Sequence, residues 1–160
     1  MAIIRTYGLH WTIAHVDWGR PSSAGTLLGA ARRSKHARQV DFRDQRGVYA
    51  LYADYELVYV GQTGAGNQRL FRRLRDHKKD HLSERWNRFS WFGTQWVTKA
   101  GALSIDAAGV QESTEVALNI LEALVVAVSE PRLNLQRGRW GKATQYYQWW
   151  QNIEEEEADD

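Results

Sequence analysis

The chain has 160 residues, of which 43% are hydrophobic and 25% charged, and this is the composition of one globular domain with a substantial core. It contains no cysteine, which excludes disulfides and thiolate metal sites and favours a reducing, cytoplasmic location. No segment approaches the ~18 consecutive apolar residues of a membrane span, so we expect a soluble protein that does not bind membranes.

Charge is unevenly distributed along the chain. The 21 basic and 19 acidic residues give a net charge of +2, but six of the acids lie in the last seven residues, 154–160. The rest of the chain has 21 basic against 13 acidic residues, a net charge of +8. A body this basic indicates a polyanionic partner, and the acidic run predicts a disordered tail.

Residues 1–45 are predicted to be an N-terminal extension that packs on the core. The apolar positions between Ile3 and Val16 suit either a strand or an irregular wrapping segment. Residues 32–38 then carry four bases and a histidine. This cluster is either a solvated surface or a phosphate-contacting patch, and charge alone leaves both interpretations open.

Two short apolar runs, at 47–52 (GVYALY) and 57–61 (LVYVG), predict an antiparallel pair of strands. In a suitable register Tyr49 and Tyr59 face the same side of this pair. Tyrosines in strands often serve packing alone, so the pattern does not by itself assign them a role.

Residues 67–81 predict a helix in which Leu70 and Leu74 form the buried stripe. Six of its other positions are basic: Arg69, Arg72, Arg73, Arg75, Lys78 and Lys79. Like charges at helical spacing repel by a few tenths of a kcal/mol per pair, so such a helix is better suited to a phosphate surface than to water. Arg73 and His77 are one turn apart and point the same way.

The second half of the chain predicts a third strand at 85–97 and an almost wholly apolar helix at 112–130. Glu122 in that helix either belongs to a wet face or is a ligand for a hard cation. The basic segment 131–142 contains Asn134, Arg137, Arg139 and Lys142 and is expected to close over a backbone phosphate. Residues 144–153 are expected to form a terminal aromatic helix that covers the core.

Several of these residues carry a resemblance to a known family. The segments 47–49 (GVY) and 59–61 (YVG) resemble the two signatures of the GIY-YIG nucleases, each with valine in place of isoleucine. Arg73, His77, Glu122 and Asn134 follow in the family's order and spacing. The resemblance covers roughly residues 46–138, and we place the corresponding domain at 46–153.

The resemblance implies a fold and a reaction. The fold is a small α/β (α+β) domain whose three-stranded, mainly antiparallel sheet is flanked by helices in the order β-β-α-β-α-α. The reaction is hydrolysis of DNA phosphodiester bonds by an endonuclease with a single Mg²⁺ (or Mn²⁺) ion.

The resemblance also implies roles for six catalytic residues. Glu122 would hold the cation, and Tyr49 would orient or deprotonate the attacking water. Arg73 would stabilise the phosphorane, because its planar fork suits two phosphate oxygens. The remaining three, Tyr59, His77 and Asn134, would hydrogen-bond the water, the phosphate or a neighbouring side chain.

The DNA-binding surface is expected to consist of the remaining cations of the predicted helix and of the 131–142 segment: Arg69, Arg72, Arg75, Lys78, Lys79, Arg137, Arg139 and Lys142. The alternative is a non-catalytic nucleic-acid-binding module on the same scaffold. The sequence leaves open the target, the choice between DNA and RNA, the biological role, and whether the protein is a monomer or a homodimer.

Overall fold

The computed structural model describes residues 4–63, 68–105 and 143–153. In these ranges the chain forms eight strands, one short 3₁₀ turn at Ile13–His15 and one α-helix. The helix, α1, spans Leu70–His77. The strands are β1 (Thr6–Thr12), β2 (Leu28–Ala30), β3 (Val40–Asp41), β4 (Gly47–Ala53), β5 (Glu56–Gln62), β6 (Arg88–Gly93), β7 (Thr144–Gln145) and β8 (Tyr147–Gln148).

The strands form two sheets. The larger sheet has the order β5-β4-β6-β1-β7, and all its neighbours are antiparallel except β1 and β7. The smaller sheet has the order β3-β2-β8. The central strand is β6, and β4 lies between β5 and β6.

The main core lies between α1 and one face of the larger sheet. Tyr49 and Leu51 of β4 point into it, as strand alternation requires, and both are at most 1% exposed. On β1 and β6 the core is aromatic, with the rings of Trp11 and Trp91 packed edge to face at 5.4 Å. This packing fixes the position of α1 relative to β4, on which the site described below depends.

The predicted fold class is wrong. The described part of the chain is mostly sheet, with five strands in one sheet and three in the other, rather than a three-stranded sheet flanked by several helices. The additional strands come from both ends of the chain. Thr6–Thr12 pairs with β6 through the register Thr6↔Gly93, and Thr144–Gln145 pairs with β1.

The predicted terminal helix at 144–153 is also wrong. This segment forms the short strands β7 and β8, the first paired with β1 and the second with β2. The Tyr146 carbonyl between them accepts a hydrogen bond from Trp11 Nε1 at 3.3 Å. The segment therefore takes its conformation from strands that are more than a hundred residues away in sequence.

Other local predictions are confirmed with changed boundaries. The antiparallel pair at 47–52 and 57–61 is observed as β4 and β5, with Tyr49 opposite Gly61. The helix predicted at 67–81 is observed over Leu70–His77, and the third strand is confined to Arg88–Gly93. No helix in the described ranges is long and apolar enough to cross a bilayer.

The predicted helix at 112–130 and the acidic tail at 154–160 lie outside the described residues. So do five predicted site residues: Glu122, Asn134, Arg137, Arg139 and Lys142.

Gln45 joins the start of β4 to its neighbours through a buried amide that is 1% exposed. Its Nε2 donates to Thr6 Oγ1 at 2.9 Å and to the Gln95 carbonyl at 3.0 Å. Its Oε1 accepts from the backbone N–H groups of Arg46 and Gln95. One side chain thus satisfies groups on three separate segments.

We expect Gln45→Leu to lower the free energy of unfolding by about 2–4 kcal/mol, because it leaves buried backbone N–H groups without acceptors. The matched control is Gln62→Leu, the same change at an exposed position of β5, which should alter stability by no more than about 0.5 kcal/mol. Urea unfolding measures both, and equal losses in the two variants would contradict a structural role for Gln45.

His10 is enclosed by aromatic rings, with centroids 4.6 Å from Tyr52 and 5.2 Å from Tyr55. Both of its ring nitrogens are buried and have no hydrogen-bond partner. Burial, and secondly the charge of Arg88, lower the pKa of His10 from 6.5 to about 4. The folded protein therefore holds His10 in its neutral form throughout the mildly acidic range.

Stability should consequently fall as the pH is lowered from about 6.5 to about 4, because the unfolded chain takes up a proton at His10 that the folded chain does not. His10→Asn removes this titration, and asparagine tolerates the left-handed backbone at this position, where φ is 53°. Thermal unfolding across this range should show a smaller loss of Tm in the variant than in the wild type. Identical pH profiles would contradict the assignment.

Candidate active site

Four of the residues predicted to be catalytic lie together at one end of α1. Tyr49 comes from β4, Tyr59 from β5, and Arg73 and His77 from the helix. The ring centroid of His77 is 5.6 Å from that of Tyr49 and 4.9 Å from that of Tyr59. The two tyrosine rings are 6.3 Å apart.

A chain of hydrogen bonds runs through the centre of this group. The Tyr49 hydroxyl is 2.7 Å from His77 Nε2, and His77 Nδ1 is 2.8 Å from Asp80 Oδ2. Tyr49 and His77 are only 1% and 3% exposed, whereas the Asp80 side chain is 34% exposed. The chain therefore leads from the buried end of the site to its surface.

The direction of these bonds follows from Asp80. Hydrogen bonds from the Leu82 N–H and from His77 outweigh the opposing effect of burial and lower the pKa of Asp80, so its carboxylate is ionised and can only accept. His77 Nδ1 therefore carries the proton. In the neutral imidazole Nε2 is then the acceptor, and the Tyr49 hydroxyl donates to it.

Burial raises the pKa of Tyr49, although the nearby Arg73 guanidinium acts in the opposite direction. Tyr49 is thus a neutral phenol at ordinary pH and not a standing phenolate base. It can lose its proton only to a group that accepts it directly, and His77 Nε2 is in position to do so. The arrangement follows the logic of a catalytic triad, with tyrosine as the first member.

Arg73 contributes the positive charge of the site. Burial lowers its pKa, but its hydrogen bond to the Tyr49 oxygen and the neighbouring Tyr59 and Asp76 side chains outweigh this and raise it. Its Nε is buried and has no hydrogen-bond partner. An unsatisfied guanidinium donor beside two phenols is suited to bind an oxyanion.

Gly61 leaves room above the Tyr49 hydroxyl. A Cβ at this position would lie 2.6 Å from the Tyr49 oxygen and 2.7 Å from Tyr59 Cε1, closer than van der Waals contact allows. The last residue of the second signature must therefore be glycine, because the two tyrosine side chains occupy the space that a Cβ would need.

The predicted DNA-binding cations of α1 lie outside this group. Arg72, Arg75 and Lys79 are exposed, and Arg69 and Lys78 are half-buried. Arg75 lies against the Phe71 ring and Lys78 against the Trp18 ring. The helix therefore presents one flank to the candidate site and a different one to the N-terminal segment.

The described residues do not assemble a metal site. Across residues 4–63, 68–105 and 143–153, no three His, Asp or Glu side chains converge as ligands. Both oxygens of Asp80 are already engaged, Oδ1 by the Leu82 N–H and Oδ2 by His77. A cation beside this cluster would need ligands from elsewhere in the chain, and Glu122 remains the predicted one.

Asp80 is a site residue that the sequence analysis did not predict. It lies beyond the end of α1, three residues after His77, and its other oxygen accepts from the Leu82 N–H at 2.8 Å. An acid three residues after a histidine at the end of a predicted helix was the available signal.

Comparison of the chain with known protein families, curated proteins and solved structures gives no match. The resemblance to the GIY-YIG nucleases therefore depends on the sequence signatures described above.

We expect Asp80→Asn to lower the free energy of unfolding by about 1–2 kcal/mol at neutral pH, because it weakens a charged acceptor of two hydrogen bonds. Since the pKa of Asp80 is lowered in the folded protein, its contribution is complete above pH 3.8 and is lost as the pH falls through the folded value. The difference between wild type and variant should shrink in the same range.

The control is Asp76→Asn, the same change at an exposed position within α1, which should cost no more than about 0.5 kcal/mol. Urea unfolding of both variants, repeated from neutral to acidic pH, measures the effect. A loss at Asp80 that did not depend on pH would show that its charge is not the stabilising feature.

Proposed function

We propose that this protein is a metal-dependent endonuclease that hydrolyses phosphodiester bonds of DNA. The observation that carries the proposal is the convergence of Tyr49, Tyr59, Arg73 and His77. The signatures at 47–49 and 59–61 contain the two tyrosines, and the resemblance implies the other two. These four residues come from three elements and lie together around a single buried hydroxyl.

The proton acceptor is the Tyr49–His77 pair. As water attacks phosphorus, it gives a proton to the Tyr49 oxygen, and Tyr49 passes its own proton to His77 Nε2. Asp80 holds the imidazole in the required tautomer and stabilises the imidazolium that forms. The bond from phosphorus to the leaving oxygen breaks, and that oxygen takes a proton from solvent.

Arg73 supplies the charge that the pentavalent phosphate requires. Its side chain is half-buried beside the Tyr49 hydroxyl, so its charge lies next to the proposed position of the phosphate. Donors already fixed where charge develops are usually the largest single contribution to such reactions. Tyr59 is half-exposed at the rim of the site, where its hydroxyl is able to orient the phosphate or the water.

A bound Mg²⁺ or Mn²⁺ would polarise the phosphate and stabilise the leaving oxygen. Glu122 is the proposed ligand, because a carboxylate is the donor that Mg²⁺ prefers. The protein groups derived above position water and bind the phosphate independently of where that ligand lies.

We expect the wild type to nick supercoiled plasmid with Mg²⁺ or Mn²⁺ and to be inactive in EDTA. Arg73→Ala and Tyr49→Phe should each lower the rate by about 10²–10³ with little change in DNA affinity, because both act on the transition state. Glu122→Gln should abolish the metal dependence together with the activity. Initial rates of nicking measure all three effects.

Arg72→Ala is the matched control, since it removes the adjacent, exposed arginine of the same helix. It should weaken binding and leave the rate at saturating DNA nearly unchanged. Absence of nicking by the wild type, with salt-sensitive DNA binding intact, would favour the non-catalytic binding module instead. Full activity of Arg73→Ala would overturn the proposed site.

A further inference from the structure

A second concave surface lies on the other flank of α1. It is a cleft of about 760 Å³ between the N-terminal turn at 18–24 and the C-terminal end of the helix. Its charged lining residues are Arg20, Arg75, Lys78 and Lys79, and its lining contains no carboxylate. In the described part of the chain, none of these four cations is paired with an acid.

The wall opposite the helix is a rigid hairpin. Arg20 and Ser23 exchange two backbone hydrogen bonds, of 2.8 and 3.0 Å, and Thr26 N–H donates to the Asp17 carbonyl. Gly25 has a φ of 81°, and a Cβ there would meet the Phe71 ring at 2.8 Å, so only glycine lets the hairpin approach the helix. The backbone of the hairpin is therefore held directly beside the helix.

Aromatic contacts hold one cation against the wall. Lys78 Nζ lies 4.3 Å from the centroid of the Trp18 ring, and Trp18 in turn packs on Phe71 at 5.6 Å. Burial, and secondly the charge of Lys79, lower the pKa of Lys78. Four like charges around one cleft repel each other, and a bound polyanion would relieve that repulsion.

The cleft and the candidate active site are on different flanks of the same helix. Arg73 points to the tyrosines, whereas Arg75, two positions later, points to the cleft, because residues two apart on a helix face nearly opposite directions. A helix with its side chains is about 10–12 Å across, so the two surfaces are separated by roughly the width of α1.

We propose that this cleft binds the phosphodiester backbone of the nucleic acid on the other flank of α1 from the bond that is cut. Arg20 and Lys79 contact phosphate oxygens from opposite walls, and Lys78 is presented by Trp18. The identity of the strand rests on the proposed nuclease function, whereas the affinity of the cleft for a polyanion does not. The N-terminal segment thereby becomes part of the substrate-binding surface.

The test compares two double variants with equal loss of charge. Arg20→Ala/Lys79→Ala removes exposed cations from both walls of the cleft, and Arg85→Ala/Lys99→Ala removes exposed cations elsewhere. Fluorescence anisotropy of a short labelled duplex, in EDTA between about 50 and 200 mM salt, gives the slope of log K against log[salt]. The cleft variant should reduce this slope by about 2 and weaken binding tenfold or more, and the control should not.

Three results would overturn the cleft as a backbone site. In the first, the wild type does not bind the duplex. In the second, both double variants lose the same affinity. In the third, the cleft variant no longer binds inorganic phosphate, but its salt slope for the duplex is unchanged. Plasmid nicking in Mg²⁺ separates the two proposals. If the wild type does not nick plasmid but the cleft variant still shows the reduced salt slope, the nuclease proposal is wrong and the backbone-binding proposal is retained.

Discussion

The contact on which the candidate site depends is the 2.7 Å hydrogen bond between Tyr49 and His77. It joins β4 of the larger sheet to the last residue of α1 in a region where both side chains are almost fully buried. A buried hydroxyl and a buried imidazole would each cost free energy if left unpaired, so the bond fixes where the helix ends relative to the sheet. The Trp86 indole also holds this end of the helix, because it donates a hydrogen bond to the His77 carbonyl at 3.2 Å.

The burial that stabilises this contact also limits its chemistry. It raises the pKa of Tyr49, which makes the phenol a poor base by itself. Arg73 and His77 act against that limit, one by its charge and the other as a proton acceptor. The proposed reaction therefore needs both neighbours of Tyr49, and a tyrosine placed in the same strand without them would be an ordinary core residue.

Sequence reasoning succeeded where structure is local. The strands β4 and β5 follow from period-two patterns on either side of a short polar connection, and α1 follows from Leu70 and Leu74. It was undecided or wrong for strands whose partners are distant. In β1 a bulge between Gly8 and Trp11, with His10 in a left-handed conformation, breaks the alternation that would have decided between a strand and an irregular segment. Thr144–Gln145 has only two residues in its strand, and pairing with β1 decides its conformation.

The two motif glycines show why a short sequence signature has to be interpreted together with the structure around it. Gly47 has a φ of 151°, and a Cβ there would collide with the Phe92 carbonyl of the adjacent strand. At Gly61 the two tyrosine rings leave no room for any larger residue. Packing alone accounts for the first glycine, so its presence says little about catalysis. The second is required only because two phenols meet beneath it, and the Tyr49 hydroxyl among them is hydrogen-bonded to a histidine. Of the two motif glycines, Gly61 is therefore the stronger argument for a reactive site.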